Sequence, residues 1–338
     1  MSIRFSVALG NPAYQVDKEN TSDAPVYNYF MDAAYGIADQ TIMITPARFL
    51  FRNGKTPKEW NEKMLADEHF KVECYEPDSK KIFPNADIKG GIAVHYRNPS
   101  RSFGAIKTFT AYSELNSILQ KVQSTFDKSL ADIIYPTVRF NLDSLLSDYP
   151  EAAASISSDG KEKRMTSGCF ALPVFTEEKR SETDYCILGV IANKRVYRYI
   201  PAKYVEVDHP NLAAYKVILP GNNGSGAIGE VLSTPLIGTP LIGYTQTFIS
   251  IGAFETREEA ENCLKYVKSK FCRTMLGILK ITQNGKKEMW RYVPLQSFSS
   301  SDINWSLSIP EIDKQLYQKY GLDEEEIAFV ESHIKEMS

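Results

Sequence analysis

The stretch Arg4-Phe5-Ser6-Val7-Ala8-Leu9-Gly10-Asn11-Pro12-Ala13-Tyr14 constrains this chain more than any other. Its apolar run reads as a short buried strand, and Gly10 ends that strand where a residue without Cβ lets the backbone pass close to a bound molecule. Asn11, Pro12 and Tyr14 come at once after it. Open α/β sheets bind ligands at the carboxyl ends of their strands, and an amide, a proline-fixed carbonyl and an aromatic placed there suit a flat heteroaromatic amine. The bland reading is a chance turn, since Asn-Pro is a common turn opener.

Composition sets the frame around that stretch. With 338 residues, two domains are expected, and 43% hydrophobic with 12% aromatic residues can fill two cores. Five Cys without Cys-x-x-Cys spacing and four scattered His indicate neither a zinc site nor a disulfide framework. No run reaches the roughly 18 apolar residues of a membrane span, and the N-terminus lacks the apolar core of a signal peptide. A soluble, cytoplasmic protein is expected. The net charge of -3 and pI near 5.9 weigh against a nucleic-acid binder. Phosphate affinity depends on local fields, however, and the acidic stretch at 323–331 inflates the negative count.

Periodicity orders the rest. After a polar loop, Asp17 to Asp23, the series Val26, Tyr29, Phe30, Ala33, Ala34 and Ile37 traces an amphipathic helix begun by Asp23 or Pro25. Gln40 to Thr45 reads as a second central strand ended by Pro46. Thr56-Pro57-Lys58-Glu59 opens a helix with a Thr cap. Phe70 to Tyr75, Ile82-Phe83-Pro84 and Gly90 to Tyr96 complete an order of strand, helix, strand, helix, strand, strand. A connector at 98–110 and a helix from Tyr112 to Phe126 come next. From about 150 the texture turns β-rich, with strands expected at Cys169 to Phe175, Tyr185 to Ala192, Arg195 to Ile200, Ala214 to Leu219, Thr247 to Ile251 and Trp290 to Pro294. One long helix is expected from the Thr256 and Glu259 capping box through Ile278. Thr-Pro-Leu-Ile-Gly occurs in tandem, Thr234 to Gly238 and Thr239 to Gly243, and reads as a loop duplication.

Two stretches of the β-rich part suit DNA. Asn193 to Tyr199 alternates basic and aromatic side chains on a hairpin, so Lys194, Arg195 and Arg198 are candidate phosphate contacts, against the bland reading of charge blunting a strand edge. Tyr197 is expected to pack inward. The glycine-rich loop Pro220 to Gly226 offers Asn222, Asn223 and Ser225, and lacks the Gly-Lys-Ser/Thr ending of a nucleotide-binding loop. Lys265, Lys268, Lys270 and Arg273 read as the solvated face of the long helix. Pro77-Asp78 with Asp87-Ile88-Lys89 fits the loose pattern of metal-dependent nucleases, but Lys89-Gly90-Gly91 reads as a turn where such sites need a strand.

Asn11-Pro12-Ala13-Tyr14 after a hydrophobic strand resembles the Asn-Pro-Pro-Tyr motif of N6-adenine DNA methyltransferases. TPARFL after a strand, IFPNADIKGG and the strand beyond it resemble type II restriction-modification methyltransferases of the gamma order, in which target recognition lies C-terminal to catalysis. The resemblance covers the whole chain, and its most specific parts are Asn11 to Gln15, Ile82 to Gly91 and Gly252 to Pro294. It implies an α/β fold: the back half of a doubly wound, Rossmann-like sheet at 1–110, a mixed, β-rich target recognition domain with a long helix at 111–305, and a helical tail at 306–338. It also implies roles. The Asn11 side-chain oxygen and the Pro12 carbonyl accept the amine hydrogens of a flipped adenine, Tyr14 stacks on the base, and Phe83 meets it edge-on.

The same resemblance implies S-adenosylmethionine as cofactor and double-stranded DNA as partner. Ala13 stands where the family has a second Pro, which would hold Pro12 extended and aim its carbonyl. The family's glycine-rich loop and acidic strand end, which hold S-adenosylmethionine, have no counterpart in this sequence. A second polypeptide supplying that half is therefore expected, and a DNA-specificity module that methylates nothing is the alternative.

Overall fold

The computed structural model describes residues 4–337 apart from 19–20, 53–54, 87, 89, 157–159, 207, 225–226, 281–284 and 300–301. Contacts divide the chain into two compact units, Met1–Asn116 and Ser117–Ser338. In the first, β1 (Phe5–Gly10) leads through a hairpin of β2 (Gln15–Lys18) and β3 (Thr21–Pro25) into α1 (Tyr27–Ile37), which returns the chain to β4 (Ala38–Pro46). β1 and β4 run parallel with Gly10 beside Met43, the arrangement for which a helical crossover is needed. Then come α2 (Lys58–Ala66), β5 (Phe70–Glu76) and β6 (Ile92–Arg97). β6 is antiparallel to both β4 and β5, so the sheet order is β1-β4-β6-β5.

Several expectations change here. β1 is not buried: it forms one margin of the described sheet, and Phe5, Val7 and Leu9 are 54%, 51% and 77% exposed. The polar loop after Tyr14 is the β2–β3 hairpin, so Asp23 and Pro25 belong to β3, and α1 starts after Val26 without a side-chain cap. α1 buries Tyr27, Met31 and Ala34, while Tyr29, Phe30 and Ile37 stay exposed. Both stripes are apolar at helical spacing, and the sheet can cover only one of them. Pro57 rather than Thr56 caps α2, because the Thr56 hydroxyl donates to Asn61 Oδ1 at 2.7 Å. Ile82-Phe83-Pro84 is neither helix nor strand and comes after a short 3-10 turn, Ser79–Lys81.

The second unit opens with α3 (Ser113–Gln123), which spans the boundary, and continues through β7 (Ile134–Tyr135), α4 (Leu142–Asp148) and α5 (Ala152–Ser155). β8 (Tyr185–Ile191) and β9 (Lys194–Ile200) form an antiparallel hairpin. β10 (Tyr215–Pro220), β11 (Leu236–Gly238), β12 (Ile242–Tyr244) and β13 (Phe248–Phe254) complete two sheets of order β11-β10-β13-β7 and β12-β8-β9. The tandem repeat is more than a loop duplication. Its first copy carries β11, antiparallel to β10, and its second leads into β12, parallel to β8, so the pair carries the chain from one sheet to the other.

The helices α6 (Arg257–Lys268), α7 (Lys270–Gly277), α8 (Ile309–Lys319) and α9 (Glu324–His333) complete the unit. The expected long helix is two, because Ser269 leaves helical geometry and its hydroxyl caps α7 by accepting from the Cys272 N–H. The capping box of Thr256 and Glu259 is present. Lys265 donates to the carbonyls of Trp305 and Leu307, Lys270 pairs with Glu331 at 2.5 Å, and Arg273 donates to the Lys335 carbonyl. These three are clamps on the C-terminal segment rather than a solvated face. Cys169 to Phe175 and Trp290 to Pro294 are not strands. The first turns on itself, with the Leu172 N–H donating to the Cys169 carbonyl and Pro173 lacking an N–H for a ladder, and the second has its Val293 N–H turned back onto the Trp290 carbonyl and meets another segment in an isolated bridge, Pro294 with Ser129. No helix of the described residues is long and apolar enough to cross a membrane.

At the centre of the first unit, His95 on β6 is fully buried between Phe70 and Phe49, with ring centroids 5.1 and 6.3 Å away. Its Nε2 lies 3.2 Å from Thr45 Oγ1, and its Nδ1 has no partner. Burial pushes the imidazole down from 6.5 to about 3. The unfolded chain thus takes up a proton below pH 6.5 that the folded unit refuses until about pH 3. Stability is full above that window and is lost as pH falls through it, at a limiting slope of about 1.4 kcal/mol per pH unit. Urea unfolding between about pH 7 and pH 4, read through amide exchange in β6, should show this decline, and His95→Phe should flatten it. An unchanged slope in that variant would assign acid sensitivity to other groups.

Candidate active site

β1 and β4 end side by side, so the turns beyond the two strands meet at one edge of the sheet. A cavity of about 630 Å³ opens there. Asn11, Ala13 and Tyr14 line it from the turn after β1, Pro46 and Arg48 from the end of β4 and the 3-10 turn Ala47–Phe51, and Phe83, Ala86 and Ile88 from the loop between β5 and β6. The structure therefore brings together three of the residues picked out in the sequence, Asn11, Tyr14 and Phe83. Pro12, half-buried, sits between Asn11 and Ala13 but does not line the cavity.

Each contributor is held from below. The Val26 N–H donates to the Tyr14 carbonyl at 3.1 Å, fixing the backbone of the motif against the start of α1. Tyr14 and Phe83 meet edge to face with ring centroids 6.4 Å apart and planes at 66°. The Tyr14 hydroxyl is buried without a partner, and burial raises its pKa above the ordinary phenol value.

Phe83 is carried by a loop that buried Ser79 organises. The Ser79 hydroxyl accepts from the Ile88 N–H at 2.9 Å and donates to the Ala86 carbonyl at 3.0 Å, while the Phe83 N–H donates to the Ser79 carbonyl at 2.7 Å. Gly91 closes the loop at φ 76°, where a Cβ would stand 2.5 Å from the Glu76 carbonyl oxygen, so no larger residue fits. Gly10 is different. A Cβ there would lie 3.5 Å from Met43 Sδ, an ordinary contact, so the fold itself does not demand glycine at the end of β1.

Sequence reasoning missed Arg48, Lys55 and Ser79. The signal for Arg48 was its place just after the Pro that ends a central strand; for the other two there was none, because a loop residue acquires its role only when the loop closes. Of the nuclease-like pattern, Asp78 caps the short turn by accepting from the Lys80 N–H at 3.1 Å, and Asp87 and Lys89 lie outside the described residues. Among the described residues no three His, Cys, Asp or Glu side chains are grouped to hold a metal ion.

In the second unit the DNA candidates separate by partner. Lys194 and Tyr197 are exposed, so Tyr197 does not pack inward as expected. Arg195 donates to the carbonyls of Ser233 and Thr234 at 3.2 and 2.8 Å and lies 5.6 Å over the Phe248 ring. Arg198 pairs with Glu177 at 2.7 Å. Asn222 is exposed and lines a second cavity of about 780 Å³, together with Arg164, Gln246, Lys286 and Lys287, four residues from three stretches that sequence reading did not connect. Asn223 is buried and internal, donating to the Val231 carbonyl and accepting from the Ser233 N–H and hydroxyl. Ser225 lies outside the described residues.

The family described as Eco57I restriction-modification methylase matches residues 1–83. That stretch, similar to restriction-modification methylases, runs through β1 to Phe83 and so contains most of the cavity wall. Among solved structures the chain is similar to the type IIG restriction endonuclease BpuSI, at 11% identity and a TM-score of 0.33, over 93% of this chain and 48% of that one. The chain thus spans about half the length of that enzyme. No curated protein matches the sequence.

The contrast between the two asparagines is directly measurable. Asn223→Ala strands the Ser233 donors and should lower the stability of the second unit by about 1–3 kcal/mol. Exposed Asn222→Ala should leave its thermal midpoint unchanged. Equal melting of both variants would mean that Asn223 does not brace its loop.

Proposed function

We propose that this chain is the base-handling and DNA-reading part of an adenine-N6 DNA methyltransferase from a restriction-modification system. The observation that carries the reading is the convergence of Asn11, Tyr14 and Phe83 on one cavity at the carboxyl ends of a parallel strand pair, within the segment that the methylase family matches. In this reading the first unit is the back half of a doubly wound sheet and the second recognises the target.

The chemistry rests on the residue types. An adenine amine is a poor nucleophile because its lone pair is delocalised into the ring. Asn11, through its side-chain oxygen, and Pro12, through its carbonyl, accept the two amine hydrogens and favour a localised lone pair, which is stabilisation by preorganised acceptors. Base flipping brings the adenine to them, with Tyr14 giving a face and Phe83 an edge. Gly10 gives that base room to pass the strand end.

S-adenosylmethionine would supply the methyl group, but the described cavity lining does not fit it: no Asp or Glu is present to grip a ribose diol. We place its site beyond β1, on a half that joins the exposed margin carrying Phe5, Val7 and Leu9, either continuous with this chain or on a second polypeptide. A parallel strand with apolar residues bare at a sheet margin is the kind of edge that another element covers. DNA falls to the second unit, where Lys194 and Asn222 are exposed; Arg195 and Arg198 reach a phosphate only by leaving their present partners.

Two measurements test this. Residues 1–338 alone should bind S-adenosylmethionine no tighter than about millimolar, and micromolar binding by calorimetry would show that the cofactor half is not needed. With that half restored, Asn11→Ala should lower methylation of duplex DNA about a hundredfold while leaving DNA affinity unchanged. Wild-type turnover by the variant would remove Asn11 from the mechanism, and no methylation by the restored wild type would favour a DNA-specificity module.

A further inference from the structure

We infer that Arg48 is the phosphate anchor of the base cavity, holding the nucleotide whose base lies against Tyr14 and Phe83; this rests on the reading of the cavity as an adenine site. Arg48 lines the cavity from the turn after β4, and its Nε is buried with no hydrogen-bond partner. Lys55 stands at the same cavity, and the described lining contains no carboxylate. A cavity whose described lining sets a guanidinium with an unpartnered Nε beside an aromatic wall suits an anion attached to a flat ring. A guanidinium suits phosphate in particular, because its planar fork meets two oxygens at once.

The backbone beneath Arg48 is fixed as a positioning residue requires. The Ala47 N–H donates to the Gly91 carbonyl at 2.9 Å. Gly90, at φ 87°, lies so close that a Cβ on it would stand 3.1 Å from Arg48 Cβ. The same glycine pair that closes the Phe83 loop therefore seats Arg48, so the aromatic edge and the cation are set by one turn. An anchor on the phosphate restricts where a flipped base sits, and amine placement against Asn11 then depends on Arg48 although it touches no reacting atom.

The test uses the chain as it is, with three probes titrated by NMR: deoxyadenosine monophosphate, deoxyadenosine, and deoxyribose phosphate. The wild type should bind the monophosphate about tenfold tighter than the nucleoside. Arg48→Gln should shrink that ratio to about twofold or less without changing nucleoside affinity, and Arg48→Lys should keep part of it. Should Arg48→Gln fail to fold, the uncharged dimethyl ester of the monophosphate on the wild type serves instead, and its affinity should fall to that of the nucleoside. Equal binding of monophosphate and nucleoside by the wild type, or an unchanged ratio in Arg48→Gln, would overturn the anchor and leave the adenine reading intact. Deoxyribose phosphate binding as tightly as the monophosphate would keep an anion site at Arg48 and overturn the adenine reading. No binding of any probe would overturn both.

Discussion

Parallel pairing of β1 with β4 is the constraint on which the first unit depends. Two parallel neighbours end at the same edge, and the crossover α1 is the connection that lets them do so. The turn carrying Asn11 and Tyr14 and the turn carrying Pro46 and Arg48 therefore open onto the same cavity. An antiparallel pair would have put them at opposite edges. The third contributor, the Phe83 loop, reaches that edge because β6 returns antiparallel beside β4, and the Ala47 N–H bonds the Gly91 carbonyl where the loop rejoins the sheet. The arrangement has a cost at the other side of β1, where apolar residues of a parallel strand face solvent.

Buried polar clamps add to apolar packing in the second unit. Lys216 on β10 is fully buried, and its Nζ donates to the carbonyls of Asn211, Ile242 and Leu212 at 2.6, 2.9 and 3.4 Å. Burial pushes its amine down to about 7, while three carbonyls around Nζ favour the ammonium form. Ile242 begins β12, so this one side chain ties the two sheets where the tandem repeat crosses between them. Asp313 of α8 plays a similar part for the helices, accepting from the N–H groups of Lys270 and Phe271 at 3.0 and 2.9 Å and so capping α7 from outside. Polar groups buried this way are costly unless every bond is made, which makes them specify one packing.

The apolar faces of the first unit show where pattern stops being informative. Phe30 and Ile37 stand seven residues apart on α1, as do Tyr27 and Ala34, and only the direction from which α1 meets the sheet separates the exposed pair from the buried one. The basic arc of α6 and α7 misled in the opposite sense, since Lys265, Lys270 and Arg273 are consumed by the carbonyls and carboxylate of the C-terminal segment. Charge on a helix says that a partner or water must be met, and not which.

The sequence by itself determined the strands with strong alternation or β-branched runs, the capping box at Thr256, and the residues that converge at the cavity, Asn11, Tyr14 and Phe83. Those signals are local: a strand that stops at Gly-Asn-Pro, or a side chain that caps three residues on, depends on neighbours in the chain. Only the tertiary structure decided that β1 is a margin, that a polar loop is the β2–β3 hairpin, that Arg195 is tied to the Ser233 and Thr234 carbonyls and Asn223 is buried, and that Arg48 joins the cavity. Each of these turns on which distant backbone comes alongside, and hydrogen-bond groups and apolar surface do not choose a partner until the fold presents one.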